Sequence, residues 1–100
     1  MSMKYKETQN YVNGKLVNAQ TGKFLDVISP VDGTLLSKVP LSSSTDLNQA
    51  VAAAKAAFPG WSKTPIKERV QVFFKYKTLL EKNLKELAAL CTEENGKTYS

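Results

Sequence analysis

The apolar positions along this chain keep two different rhythms. Up to about residue 40 they come in short runs broken by turn residues. Tyr11-Val12 and Leu16-Val17 flank Asn13-Gly14. Asn-Gly accepts positive φ at both central positions, so a type I′ hairpin is predicted. Thr21-Gly22 marks a second turn. Phe24-Leu25-Asp26-Val27-Ile28 reads as a strand ending before Pro30, and Asp32-Gly33 as a third turn. Thr34-Leu35-Leu36-Ser37-Lys38-Val39 reads as a strand stopped by Pro40. The expectation is one small antiparallel β-meander over residues 11–39, marginal unless one face is covered. Residues 1–10 are polar and expected to be a flexible N-terminus.

From residue 43 onward the spacing becomes helical. Ser42-Ser43-Ser44-Thr45-Asp46 is a cap cluster, and with Ser43 as the cap Asp46 falls at N3, a short capping box. Leu47, Ala50, Val51, Ala54, Ala57 and Phe58 follow at 3/4 spacing, and Pro59-Gly60 is expected to end this helix. Thr64-Pro65 should open a second helix, with Thr64 as cap and Pro65 at N1. Ile66, Val70, Phe73, Leu80, Leu84, Leu87 and Cys91 line one stripe, with Lys77 in its gap. This helix is predicted to run unbroken to Glu94, with Gly96 at the C′ position. It would be about 30 residues long, on the order of 45 Å. The first helix can cover only about half of such a length. A wide apolar stripe left bare is either an interface or aggregation-prone, so a covering partner is expected, either the rest of a larger domain or another copy of the chain.

Composition narrows the class. Of 100 residues 42% are hydrophobic and 23% charged, which suits a globular chain. The net charge of +5 raises nucleic-acid binding. The lysines form no run, however, and Glu81, Glu86, Glu93 and Glu94 interleave with the basic residues of the last helix, so a solvated face is the better reading. The lone Cys91 has no disulfide partner, which fits a reducing compartment. No secretory leader is legible, and no run approaches the roughly 20 apolar residues of a membrane span. A cytoplasmic protein binding neither membrane nor nucleic acid is expected.

Candidate chemistry is thin. Cys91 is the one strong nucleophile, yet it falls on the predicted buried stripe near a helix C-terminus, where the dipole disfavours a thiolate. It is expected to be a small core residue. The chain has no histidine, which excludes a Cys-His pair or a histidine metal site within it. Glu93 and Glu94 are adjacent on a helix and point about 100° apart, which suits a solvated helix end rather than a shared proton. The five glycines are too scattered for a dinucleotide loop. Phe58, Trp61, Phe73, Phe74 and Tyr76 fall on or beside the helical apolar face and are expected in a core. Tyr5 and Tyr11 carry no legible signal. No catalytic, cofactor-binding or metal residue is assigned within the chain.

Tyr11-Val12-Asn13-Gly14-Lys15, then Ser29-Pro30-Val31-Asp32-Gly33, then Val39-Pro40 resembles the opening of the aldehyde dehydrogenase superfamily. That family has an NG-x-W/F hairpin, an NP-x-TG turn and a V-P/A strand end. The match continues through residues 46–58, Trp61, Pro65 with Glu68-Arg69, Leu87-Ala88-Ala89-Leu90 and Glu94-Asn95-Gly96-Lys97. Ser29 departs from the usual asparagine, and Asp32 from the usual threonine or asparagine. Phe58-Pro59-Gly60-Trp61 and residues 73–83 look most like the CoA-acylating, methylmalonate-semialdehyde dehydrogenase branch.

The resemblance implies an α/β enzyme with a Rossmann-type cofactor domain. Residues 11–100 would be the first, incomplete part of that domain: a small antiparallel β-meander followed by two α-helices, the second long. In the family a cysteine thiolate attacks the aldehyde, a hydride passes to NAD, and the thioester is released to water or to CoA. The nucleophile, the general-base glutamate, the oxyanion asparagine and the cofactor contacts all fall beyond Ser100, so residues 1–100 alone are expected to be inactive. Backbone near Val27-Ile28 helps hold a monovalent cation in some family members. The alternative is a non-catalytic module that self-associates through helix 65–94.

Overall fold

The computed structural model of the chain describes residues 2–98. The first two strands, β1 (Asn10–Val12) and β2 (Lys15–Val17), pair antiparallel with Val12 opposite Lys15. Asn13 and Gly14 between them both have positive φ, 52° and 76°, as a type I′ turn requires. β3 (Phe24–Ile28) and β4 (Leu35–Pro40) form a second antiparallel pair, with a bulge between Val27 and Ile28. The expected turns are present, but the single meander is not: the strands form two separate two-stranded sheets. The connector explains the split. Gln20 is held by Asp46 and Thr21 by the Leu41 carbonyl, so β2 is led away from β3.

Residues 1–10 were expected to be loose. Within them the Lys4, Tyr5 and Thr8 amides donate to the carbonyls of Leu35, Leu36 and Lys38. The segment therefore runs parallel to β4 along the edge that β3 does not use.

Three helices follow rather than two: α1 (Ser44–Lys63), α2 (Ile66–Lys82) and α3 (Leu84–Asn95). The Ser43/Asp46 capping box opens α1 as expected. Pro59-Gly60 does not close it; the helix carries both residues for another turn. Thr64 donates its hydroxyl to the Gly60 carbonyl at 2.9 Å, so it serves the end of α1 instead of capping α2. Its ψ of 131° is the extended geometry that a following proline imposes.

The long second helix breaks at Asn83. Its backbone and its side-chain amide both donate to the Leu79 carbonyl, the latter at 2.8 Å. Local side-chain bonding of this kind competes with helix propagation, and Asn83 sits at φ −105°, ψ 17°. Gly96 ends α3 in the left-handed region, as expected.

The core is very small. Among the described residues only Leu35 and Leu36 are buried hydrophobics. The chain spans 48 × 37 × 17 Å with a radius of gyration of 17.2 Å, against about 13 Å for a compact domain of this size. It exposes 8327 Å², where a compact monomer of the same mass would expose about 5600 Å². The elements are well formed, but their apolar faces are not covered by one another.

Candidate functional site

The uncovered faces of the helices are the dominant surface. Phe58 is 67% exposed, Ile66 70%, Phe73 64% and Leu84 64%. Trp61, Phe74 and Tyr76 are exposed as well. These aromatics were expected in a core; within this chain they lie on the outside. Cys91 was expected to be buried and is also exposed. The reason is physical: periodicity reports which face wants cover, not whether the cover lies in the same hundred residues.

Two polar nodes hold the small sheets to the helices. At the first, Asp46 accepts from the Ser43 amide at 2.9 Å, from the Ser43 hydroxyl at 3.0 Å and from the Gln20 amide at 3.1 Å. The Ser43 backbone bond, with the others behind it, holds the Asp46 carboxyl below its ordinary range. At the second, Lys4 Nζ donates to Glu93 Oε2 and Tyr5 Oη to Glu93 Oε1, both at 2.9 Å. The Lys4 bond and then the Tyr5 bond depress the Glu93 carboxyl, and Glu93 in turn raises Lys4 and Tyr5. Glu93 is thus not merely a solvated helix end. Tyr5 gave no signal in the sequence, because its partner lies 88 positions away.

Beside this second node is an open cleft of about 320 Å³. Val27 and Leu36 line it from the sheet, Tyr5 from the N-terminal segment, and Leu90, Glu93 and Glu94 from α3. Val27, one of the two positions tied by resemblance to a monovalent cation, thus shares a cleft with two carboxylates. Among the described residues no three His, Cys, Asp or Glu side chains are grouped to hold a metal ion. Among the described residues no helix is long and apolar enough to cross a membrane. Ser29, the departure from the family's asparagine, is buried, and its hydroxyl accepts from the Val31 amide at 3.2 Å. It therefore supplies the turn acceptor that a longer amide side chain would otherwise provide.

The hairpin, the Ser29–Gly33 turn, the capped α1 and the glycine-ended α3 occur in the order the family motif requires. The model of the aldehyde dehydrogenase family matches residues 16–100, and the chain belongs to that family. Malonate-semialdehyde dehydrogenase 1 of Geobacillus thermodenitrificans is 47% identical over 92% of this chain and 19% of its own length. The malonate-semialdehyde dehydrogenase of Halalkalibacterium halodurans is 46% identical over 91% of this chain and 19% of its length. A Sinorhizobium meliloti protein assigned as a methylmalonate-semialdehyde dehydrogenase, solved with NAD, superposes with a TM-score of 0.89 at 37% identity. That superposition covers 99% of this chain and 20% of the solved one. The chain therefore spans about a fifth of the length of the relatives it matches.

Proposed function

We propose that residues 1–100 are the amino-terminal part of an NAD-dependent dehydrogenase for malonate or methylmalonate semialdehyde. In this reading the aldehyde carbon is captured by a cysteine outside this segment, hydride leaves to NAD, and the thioester acyl group passes to CoA. Residues 11–100 belong to the cofactor-binding domain and act as its scaffold. They supply no catalytic or cofactor-contacting group and are inactive alone. The observation that carries the reading is the pairing of close sequence identity to semialdehyde dehydrogenases with helices whose apolar faces have no cover. Arg69 supports it. Its Nε is buried with no hydrogen-bond partner among the described residues, as expected of a donor whose acceptor lies in the remaining four-fifths.

The test is a graft. Residues 1–100 replace the matching fifth of the Geobacillus enzyme, and NAD reduction is followed with malonate semialdehyde, with and without CoA. The graft is expected to turn over with CoA present, and the 100-residue chain alone to give none. NAD reduction by the isolated chain would contradict the reading. So would a graft that assembles with its host's size and melting temperature yet loses turnover by more than about a hundredfold, about 2.7 kcal/mol of barrier. The second reading, a self-associating module without catalysis, rests on the same bare helix faces and needs no further chain.

A further inference from the structure

Lys4 and Glu93 are 89 positions apart, and the hydrogen bond between them joins the N-terminal segment to the last helix. We propose that residues 4–8 are a latched strap. They lie along β4 as an irregular segment held by backbone hydrogen bonds, and their docking depends on the two-pronged hold of Glu93, so that loss of that hold frees the strap while the β3–β4 hairpin stays closed.

The sheet prepares the site. An ordinary ladder turns successive carbonyls to opposite edges. The bulge between Val27 and Ile28 leaves Leu36 without a partner on β3. Leu35 and Leu36 both aim their carbonyls at the strap, accepting from Lys4 and Tyr5 at 3.2 and 2.8 Å. Lys38 then accepts from Thr8 at 2.8 Å, and the Ser37 hydroxyl donates to the Lys6 carbonyl at 2.6 Å.

The strap itself brings little to hold it there. Residues 4–8 are all exposed, and exposed backbone bonds with few apolar contacts open easily. What fixes the strap is Glu93, which takes one hydrogen bond from Lys4 and one from Tyr5 on separate oxygens. Hydrogen bonds to an ionised acceptor are about twice as strong as neutral ones. Glu93 is carried by α3, whose C-terminal end is fixed by Gly96, so the latch sits on a regular element. Release would remove Tyr5 from the cleft it shares with Val27, Leu36 and Leu90, and so widen the entrance between strap and helix.

The test is amide hydrogen exchange in the native polypeptide that carries these residues. The Lys4, Tyr5 and Thr8 amides report the strap, and those of β3 and β4 report the hairpin. Glu93→Ala is expected to speed strap exchange by roughly tenfold and leave the hairpin unchanged. Glu94→Ala alters the same cleft wall without touching the strap bonds and should leave both sets unchanged. The double variant Lys4→Met, Tyr5→Phe undoes the latch from the other side and should match Glu93→Ala; it decides the matter if Glu93→Ala does not fold. Strap exchange unmoved by the double variant would overturn the proposal. So would an acceleration shared equally by the hairpin, which would make Glu93 a general stabiliser instead of a latch.

Discussion

At micromolar concentration the isolated 100-residue chain is expected to sediment as a species of at least about twice 11.0 kDa. The reason lies in the helices. Phe58, Ile66, Phe73, Leu80 and Leu84 all stand in solvent. Burying one such side chain is worth about 1.5–3 kcal/mol, and association costs about 4–15 kcal/mol in lost freedom. A handful of these residues from each copy is therefore enough. Phe73 and Leu80 are seven positions apart on α2 and share a face. The double variant Phe73→Glu, Leu80→Glu should restore a monomer, because dimerisation would have to desolvate two carboxylates per copy. A wild-type chain that stays monomeric by light scattering would mean that these faces are tolerated in water and need no cover.

The second large effect is at Asp46. Asp46→Ala should lower the melting temperature by roughly 3 °C in the folded protein, since one carboxylate caps α1 and also pins the connector at Gln20. The pH dependence follows from the direction of its shift. Hydrogen bonding holds the folded carboxyl below its ordinary value. Its contribution is then full above the unfolded value, about 3.9, and is lost as pH falls through the lower folded value. Calorimetry of wild type and Asp46→Ala should show a constant gap from neutral pH down to about 4.5 and a shrinking gap below about pH 4. A gap that stays constant down to pH 2 would remove the ionised carboxylate from the explanation.

Much of the local structure was legible because its causes are local. Asn13-Gly14 sets its own hairpin, Ser43 and Asp46 set their own cap, and Gly96 sets its own helix end. The breaks in the helix pattern were harder. Pro59 signals a stop, yet α1 passes through it, because the helix on either side outweighs one missing backbone donor. Asn83 looked like an ordinary polar position, and only its bond to the Leu79 carbonyl shows why α2 ends there. The division of the strands into two sheets rests on Asp46 reaching Gln20 across 26 positions. The strap on Glu93 rests on contacts across almost the whole chain, and no window of sequence contains them. The family was legible because its motifs are short, ordered and local. The exposure of Cys91 and the aromatics was not legible, because the stripe that marks an inward face is the same whether its cover lies within the chain or outside it.

Residues 1–100 are proposed to work as one part of a larger dehydrogenase. The most direct measurement is the mass of the native polypeptide in its source cell, detected with an antibody raised against this segment. A single band about five times 11.0 kDa is expected, given that the chain spans 19% of its relatives. A band at 11.0 kDa would contradict this and leave the bare helix faces to a self-associating module.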